Sequence, residues 1–328
     1  MRLLLLFLPL LLVSCRNDFS LQADLADVPV VYGFLDAAGE VHFVRVERAV
    51  PDADVAAADP GQLYYGPDAA TVSLTNLGTG VTVEMDRVNG NALDLPRATG
   101  PFATTPNILY RVSDEELRLQ AGQSVEVRVA RPDADDALAT TRLLEPLRIL
   151  RPSTTARLDD YRRPVIVSWN APPEATVFAV QLLFSVDEHY VGDPSRDRTV
   201  ELVYDATTDY RPGGAGRSGE LVSLELDNEA VYRFLGASFE PTTGVSRQLT
   251  AFDLRVTAVG PELGTLLTLS DANAGLTGAQ ARPRYSNVVK GEGVVSSRTT
   301  DRRPGIQLDA ASLDSLREGR HTRALNFR

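Results

Sequence analysis

The chain has 328 residues, 43% of them hydrophobic and 23% charged, with a formal net charge of −11 and a single cysteine. That composition is globular, which excludes a wholly disordered or low-complexity chain, and the length leaves room for two domains of ordinary size. An acidic surface repels phosphate backbones and anionic headgroups, so nucleic acid is excluded as the expected partner, and so is electrostatic docking on a membrane.

The chain opens with residues 1–15, MRLLLLFLPLLLVSC, in which Arg2 is the only charge and Ser14 stands just before Cys15. The apolar run 3–13 is about eleven residues, too short to span a bilayer and of the right size for a removable signal core. The combination resembles the bacterial lipoprotein signal. The resemblance implies cleavage before Cys15, a diacylglycerol on its thiol and a further acyl chain such as palmitate on the new amine. Residues 1–14 are then the signal peptide and 15–27 a lipidated, polar tether, in which Asp18 and Asp24 form a weak version of a surface-display signal. With the one thiol lipidated, the folded part is left without disulfides, zinc thiolates or a cysteine nucleophile.

Residues 28–150 read as an antiparallel β-sandwich. The runs 28–35 and 40–50 flank a short turn ending at Gly39 and form one hairpin. Val72 and Leu74, then Val81, Val83 and Met85, alternate with polar residues on either side of the turn 76–80 and form a second. Val125, Val127 and Val129 alternate most cleanly, the pattern of a sheet with one dry and one wet face. Residues 51–67 and 89–106 are loops rich in breakers. Ser113 before Asp114, Glu115 and Glu116 predicts one capped helical turn.

Residues 151–296 read as a second sandwich. Val165, Val167 and Trp169 share a face, a Pro-rich turn follows, and Phe178, Val180, Leu182, Phe184 and Val186 share another. Phe252, Leu254, Val256 and Ala258 repeat the alternation before Gly260. This order resembles the fibronectin type III module, in which the lone tryptophan packs between the sheets. An inserted helix is predicted over 228–236, with Val231, Phe234 and Leu235 at helical spacing and Gly236 as its stop, covering a sandwich edge or the domain interface. The expected fold class is therefore all-β: two antiparallel β-sandwich domains, immunoglobulin- or fibronectin-like, with a short inserted helix and a C-terminal extension.

The run 284–295, RYSNVVKGEGVV, together with the lipobox and the early strand VVYGFLD, resembles the Bacteroidota lipoproteins that carry domain of unknown function 4249. Lys290 and Glu292 interrupt the family's glycines, and Val295 stands where it has an aromatic. The resemblance implies an outer-membrane, lipid-anchored protein of unknown activity, encoded beside nutrient receptors. The tail 297–328 differs in charge, with seven arginines against four acids, and Leu308, Leu313 and Leu316 suggest a short helix; a tail clamped on the acidic body is the preferred reading.

Chemistry is sparse. His42, His189 and His321 are far apart in sequence and none has metal-ligand spacing. The glycine-rich 213–219 lacks the ending of a phosphate loop. Asp52, Asp54 and Asp59 are the weak calcium candidates, without the glycine and final glutamate of a helical calcium loop. Tyr64 and Tyr65, expected in a loop, are candidates for stacking on a ligand or partner, against the plainer reading that one plugs the sandwich end. The expectation is a non-enzymatic envelope protein without cofactor, held in the outer membrane by its lipid. It would serve as a scaffold or accessory subunit to an outer-membrane receptor or other envelope protein, or else as a lipoprotein that captures carbohydrate or peptide.

Overall fold

The computed structural model describes residues 27–50, 62–98, 104–212, 220–274 and 284–328. The first half contains β1 (Pro29–Leu35), β2 (Val41–Arg48), β3 (Thr71–Asn76), β4 (Val81–Glu84), β5 (Asp86–Asn89), β6 (Ile108–Ser113), β7 (Ser124–Arg131) and β8 (Ala134–Arg142). The second adds β9 (Arg148–Arg151), β10 (Thr155–Ala156), β11 (Val165–Asn170), β12 (Val177–Tyr190), β13 (Arg198–Tyr210), β14 (Leu221–Leu226), β15 (Val245–Gln248) and β16 (Ala251–Val259). The chain closes with β17 (Val288–Val289) and the long β18 (Glu292–Leu308). Helices are α1 (Asp114–Leu117), α2 (Asn228–Ala237), α3 (Pro261–Ala274) and α4 (Ala310–Glu318).

The fold is all-β, built as two sandwiches. In the first, β18–β1–β2–β6–β5 faces the sheet β17–β8–β7–β3–β4. Between them lie Val31, Val44, Val46, Val72, Leu74 and the row Val125, Val127 and Val129, as the period-two pattern requires. Val81, expected inward, is exposed because β4 is a four-residue strand at the rim of its sheet. Ser113 caps α1 by accepting from the Glu115 amide.

In the second sandwich, β13–β12–β16–β18 faces β14–β11–β9. Trp169 is fully buried between the sheets, 5.3 Å from the Phe178 ring. Phe184, Phe252, Leu254 and Val256 extend that core. One end is closed by α2 and α4, where the Tyr232 hydroxyl donates to the Ser312 carbonyl at 2.9 Å. Gly236 does not stop α2, which runs on to Ala237. Its place is set by the tail: a Cβ there would lie 2.5 Å from the His321 carbonyl oxygen.

Among the described residues the named strands pair antiparallel except at β18, which runs parallel to β1 and to β10, and a single parallel bridge joins Arg247 to Phe327. That strand joins the sandwiches. Its first half lies beside β1, from Val30↔Glu292 to Leu35↔Ser297, and its second half pairs with β16 from Val259↔Arg298 onward. The run 284–295 delivers it there. Asn287 exchanges hydrogen bonds with Val295 at 2.7 and 3.0 Å, and Gly293, at φ +110°, lets the strand approach β1 where a Cβ would stand 2.1 Å from the Val31 oxygen.

The boundaries expected at 150/151 and 296/297 do not coincide with the change of core. Leu143 belongs to the first core and Leu144 to the second, while 296/297 falls inside β18. The two crossings touch, since the Leu144 amide donates to the Ser297 hydroxyl at 2.8 Å. Glu262, in the first turn of α3, also binds both halves of this junction, accepting from Thr141 at 3.1 Å and Ser296 at 2.7 Å. The tail packs on the body. Leu316, Leu325 and Phe327 enter the second core, and Arg320 and His321 bind Glu229 of α2.

Candidate functional site

Cys15, Asp52, Asp54 and Asp59 lie outside the described residues. Tyr64 and Tyr65 are 5% and 1% exposed, so neither ring is offered for stacking on a ligand. The reason is local: the Leu63 carbonyl accepts from the Arg48 amide at 2.8 Å, which draws the segment onto β2. The Arg48 guanidinium then covers the Tyr65 ring at 4.6 Å. Burial pushes the Tyr65 phenol well above its ordinary range.

The histidines are not brought together. His42, buried, meets Asp114 at 3.1 Å; His189 meets Asp197 at 3.1 Å; His321 meets Glu229 at 3.1 Å. Asp114 also accepts from the Leu119 amide at 3.0 Å, so the His42 pair fastens α1 to β2. Among the described residues, no group of three or more His, Cys, Asp or Glu side chains could hold a metal ion.

The feature that sequence reading missed is the outer face of the first sandwich. Alternation in β1 sends Val31 and Leu35 inward and therefore Tyr32 and Phe34 outward, and both remain 40% exposed. On β2 the same rule turns Phe43, Arg45 and Glu47 to that face, with Arg45 opposite Tyr32. Tyr32, Phe34, Phe43 and Arg45, with Leu109 and Arg298, line a hollow of about 370 Å³.

One rim of this hollow is fixed by a buried polar network. Glu47 accepts from Arg97 at 2.7 Å and from Arg45 at 3.4 Å. Arg97 also donates to the Tyr64 hydroxyl at 3.0 Å, and Arg45 donates to Asn107 at 2.7 Å. The former candidate Tyr64 is thus a support of the site and not its contact surface. Partial burial raises the Tyr32 phenol, and the Glu47 and Glu292 carboxylates add to this, so Tyr32 stays protonated and able to donate. Two aromatic faces, a held guanidinium and a phenol donor suit recognition by stacking and hydrogen bonding.

A second hollow, of about 650 Å³, lies on the other sandwich and carries Arg151, Arg157 and Arg163 over Pro152, Pro164 and Ile166. Arg157 is forked to Asp159 at 2.8 and 3.2 Å and Arg163 lies 3.7 Å from Asp160, so much of its charge is answered internally.

No family model and no curated protein matches this chain. Among solved structures it is similar to a DUF4785 family protein from Legionella pneumophila, at 11% identity over 69% of this chain and 50% of that one, with a TM-score of 0.19. It is also similar to a tetra-tandem repeat in the extending region of a large adhesion protein, at 13% identity over 87% of this chain and 50% of that one, with a TM-score of 0.20. The chain spans half the length of each, and at these TM-scores neither carries an argument about fold or function.

Proposed function

We propose that the protein is a lipid-anchored, non-enzymatic component of the bacterial envelope, attached to the outer membrane through Cys15, which presents the outer face of its first sandwich to another envelope protein. The observation that carries this is the exposed pair Tyr32 and Phe34 beside the immobilised Arg45. Aromatic and arginine side chains are the commonest anchors of protein interfaces, and a rigid sheet presents them at low entropic cost. The face stands on β1, which begins at Pro29, fourteen residues beyond Cys15.

The test is chemical crosslinking of the acylated protein in its own membrane, followed by capture. An envelope partner should be recovered from the native chain and lost from Tyr32→Ala/Phe34→Ala. Recovery of no such partner would end the scaffold reading. The same aromatic hollow supports a second reading, capture of a carbohydrate by ring stacking, for which glycan-array binding abolished by Tyr32→Ala is the expected result.

A further inference from the structure

Among the described residues, most sheet ends are short: β4, β5 and β9 have four residues, β14 has six and β17 has two. Short edge strands are one way proteins avoid templating unwanted pairing. β13 is different. It ends the large sheet, runs for thirteen residues, and among the described residues pairs only with β12. From Arg198↔Glu188 to Asp205↔Gln181 the register is unbroken, without bulge or proline. In such a strand every second residue turns its N–H and C=O away from the sheet.

The side chains specify what could be added. Val200, Leu202 and Tyr204 face the core, while Glu201, Val203 and Asp205 face outward, Val203 being 46% exposed. Glu201 accepts from Ser185 at 2.9 Å and Asp205 from Gln181 at 2.6 Å, so neutral donors hold both carboxylates on this face, with Arg255 one step behind Gln181 at 2.8 Å. A second copy of β13 laid antiparallel would set these carboxylates against one another, and like charges across strands are destabilising. A complementary strand carries basic residues flanking an apolar one, each separated by a single residue.

We infer that the free edge of β13 is a docking strand for an extended, basic segment of another polypeptide, received by β-strand addition. This goes beyond the proposed function, because β13 stands in the second sandwich and not on the face of Tyr32 and Phe34, and it rests on that reading only for the partner's place in the envelope.

The test uses the full chain in neutral detergent, titrated with the capped peptide Thr-Val-Arg-Thr-Val-Thr-Arg-Val-Thr and with its analogue carrying glutamate for arginine. Saturable binding of the arginine peptide is expected, with slowed amide exchange over residues 198–205. Binding should weaken at least about tenfold for the glutamate analogue and for Glu201→Lys/Asp205→Lys, whose side chains are exposed and whose fold is checked by circular dichroism. Absence of saturable binding, equal binding of both peptides, or protection elsewhere would overturn the inference. So would self-association through β13. Peptide binding at β13 with no envelope partner captured from the membrane would leave the inference standing and remove the proposed function.

Discussion

The two sandwiches are closed in different ways. The second has an aromatic core, with Trp169, Phe178, Phe184 and Phe252, drawn from a stretch of chain that leaves it only for the excursion into β17 and the start of β18. The first is filled mainly by valines and leucines and takes β17 from the far side of the second sandwich, where Val288 pairs with Ala139, and half of β18, where Glu292 pairs with Val30. Closing such a loop costs entropy before any contact rewards it. The first sandwich therefore depends on a strand that the second holds in place, while the second has no reciprocal need of β1.

The largest test of that asymmetry is Trp169→Ala. Removing a fully buried indole should cost about 3–5 kcal/mol. Because β18 is shared, both sandwiches should lose amide protection together. Separate transitions, with the first sandwich intact after the second has melted, would break the comparison.

Gly293→Ala probes the opposite direction. The residue is at φ +110° and an added Cβ would collide with the Val31 carbonyl, so a loss of about 3 kcal/mol is expected. Trp169 is the only tryptophan, so its fluorescence reports on the second sandwich alone. The expected outcome is early exposure of β1 and β2 amides with native tryptophan emission, and simultaneous loss of both would contradict it.

What could be read in the sequence divides along the same line. Val125, Val127 and Val129, or Phe178 to Val186, announce their strands because alternation is local and one face is buried. The Ser113 cap and the span of α2 were legible for the same reason. The pairing Val30↔Glu292 has no local signature, so the borrowed strand was divided between a domain and a tail. The helix α3, whose Glu262 ties Thr141 to Ser296, was equally invisible. Tyr64 and Tyr65 misled because a loop position predicts exposure, whereas the Arg48 amide and guanidinium fold that loop inward. A usable signal for the site existed in Tyr32 and Phe34, two residues apart and opposite in face to Val31 and Leu35.

A smaller effect is expected where the crossings meet. Ser297→Ala removes the acceptor for the buried Leu144 amide and should cost about 1–2 kcal/mol. The change should narrow the denaturant range over which the two sandwiches unfold as one, measured by the separation between tryptophan emission and amide protection in β1. An unchanged separation would place the coupling in β18 and the Glu262 contacts.

The smallest expected effect concerns acid, and it belongs to the second sandwich. Glu188, buried on β12, accepts from Arg198 at 2.8 Å and from Arg247 at 2.9 Å. Burial alone would raise its pKa, but the two guanidinium groups outweigh that and hold it below the ordinary glutamate value of 4.5. A carboxylate lowered on folding adds stability that is present above its unfolded pKa and is lost as pH falls through the folded one. Arg247 also donates to the Leu325 carbonyl at 2.8 Å, and its backbone pairs with the last residues of the chain. Protonating Glu188 should therefore loosen the C-terminal turn. The denaturation midpoint read by Trp169 should fall as the pH is lowered below the ordinary glutamate value of 4.5 in the native chain. In Glu188→Gln the midpoint should start lower and fall less, because glutamine leaves Arg247 and Arg198 without their counter-ion at every pH but has no proton to gain. An acid limb of the same steepness in both proteins would move the titration to another carboxylate and remove this contrast between the sandwiches.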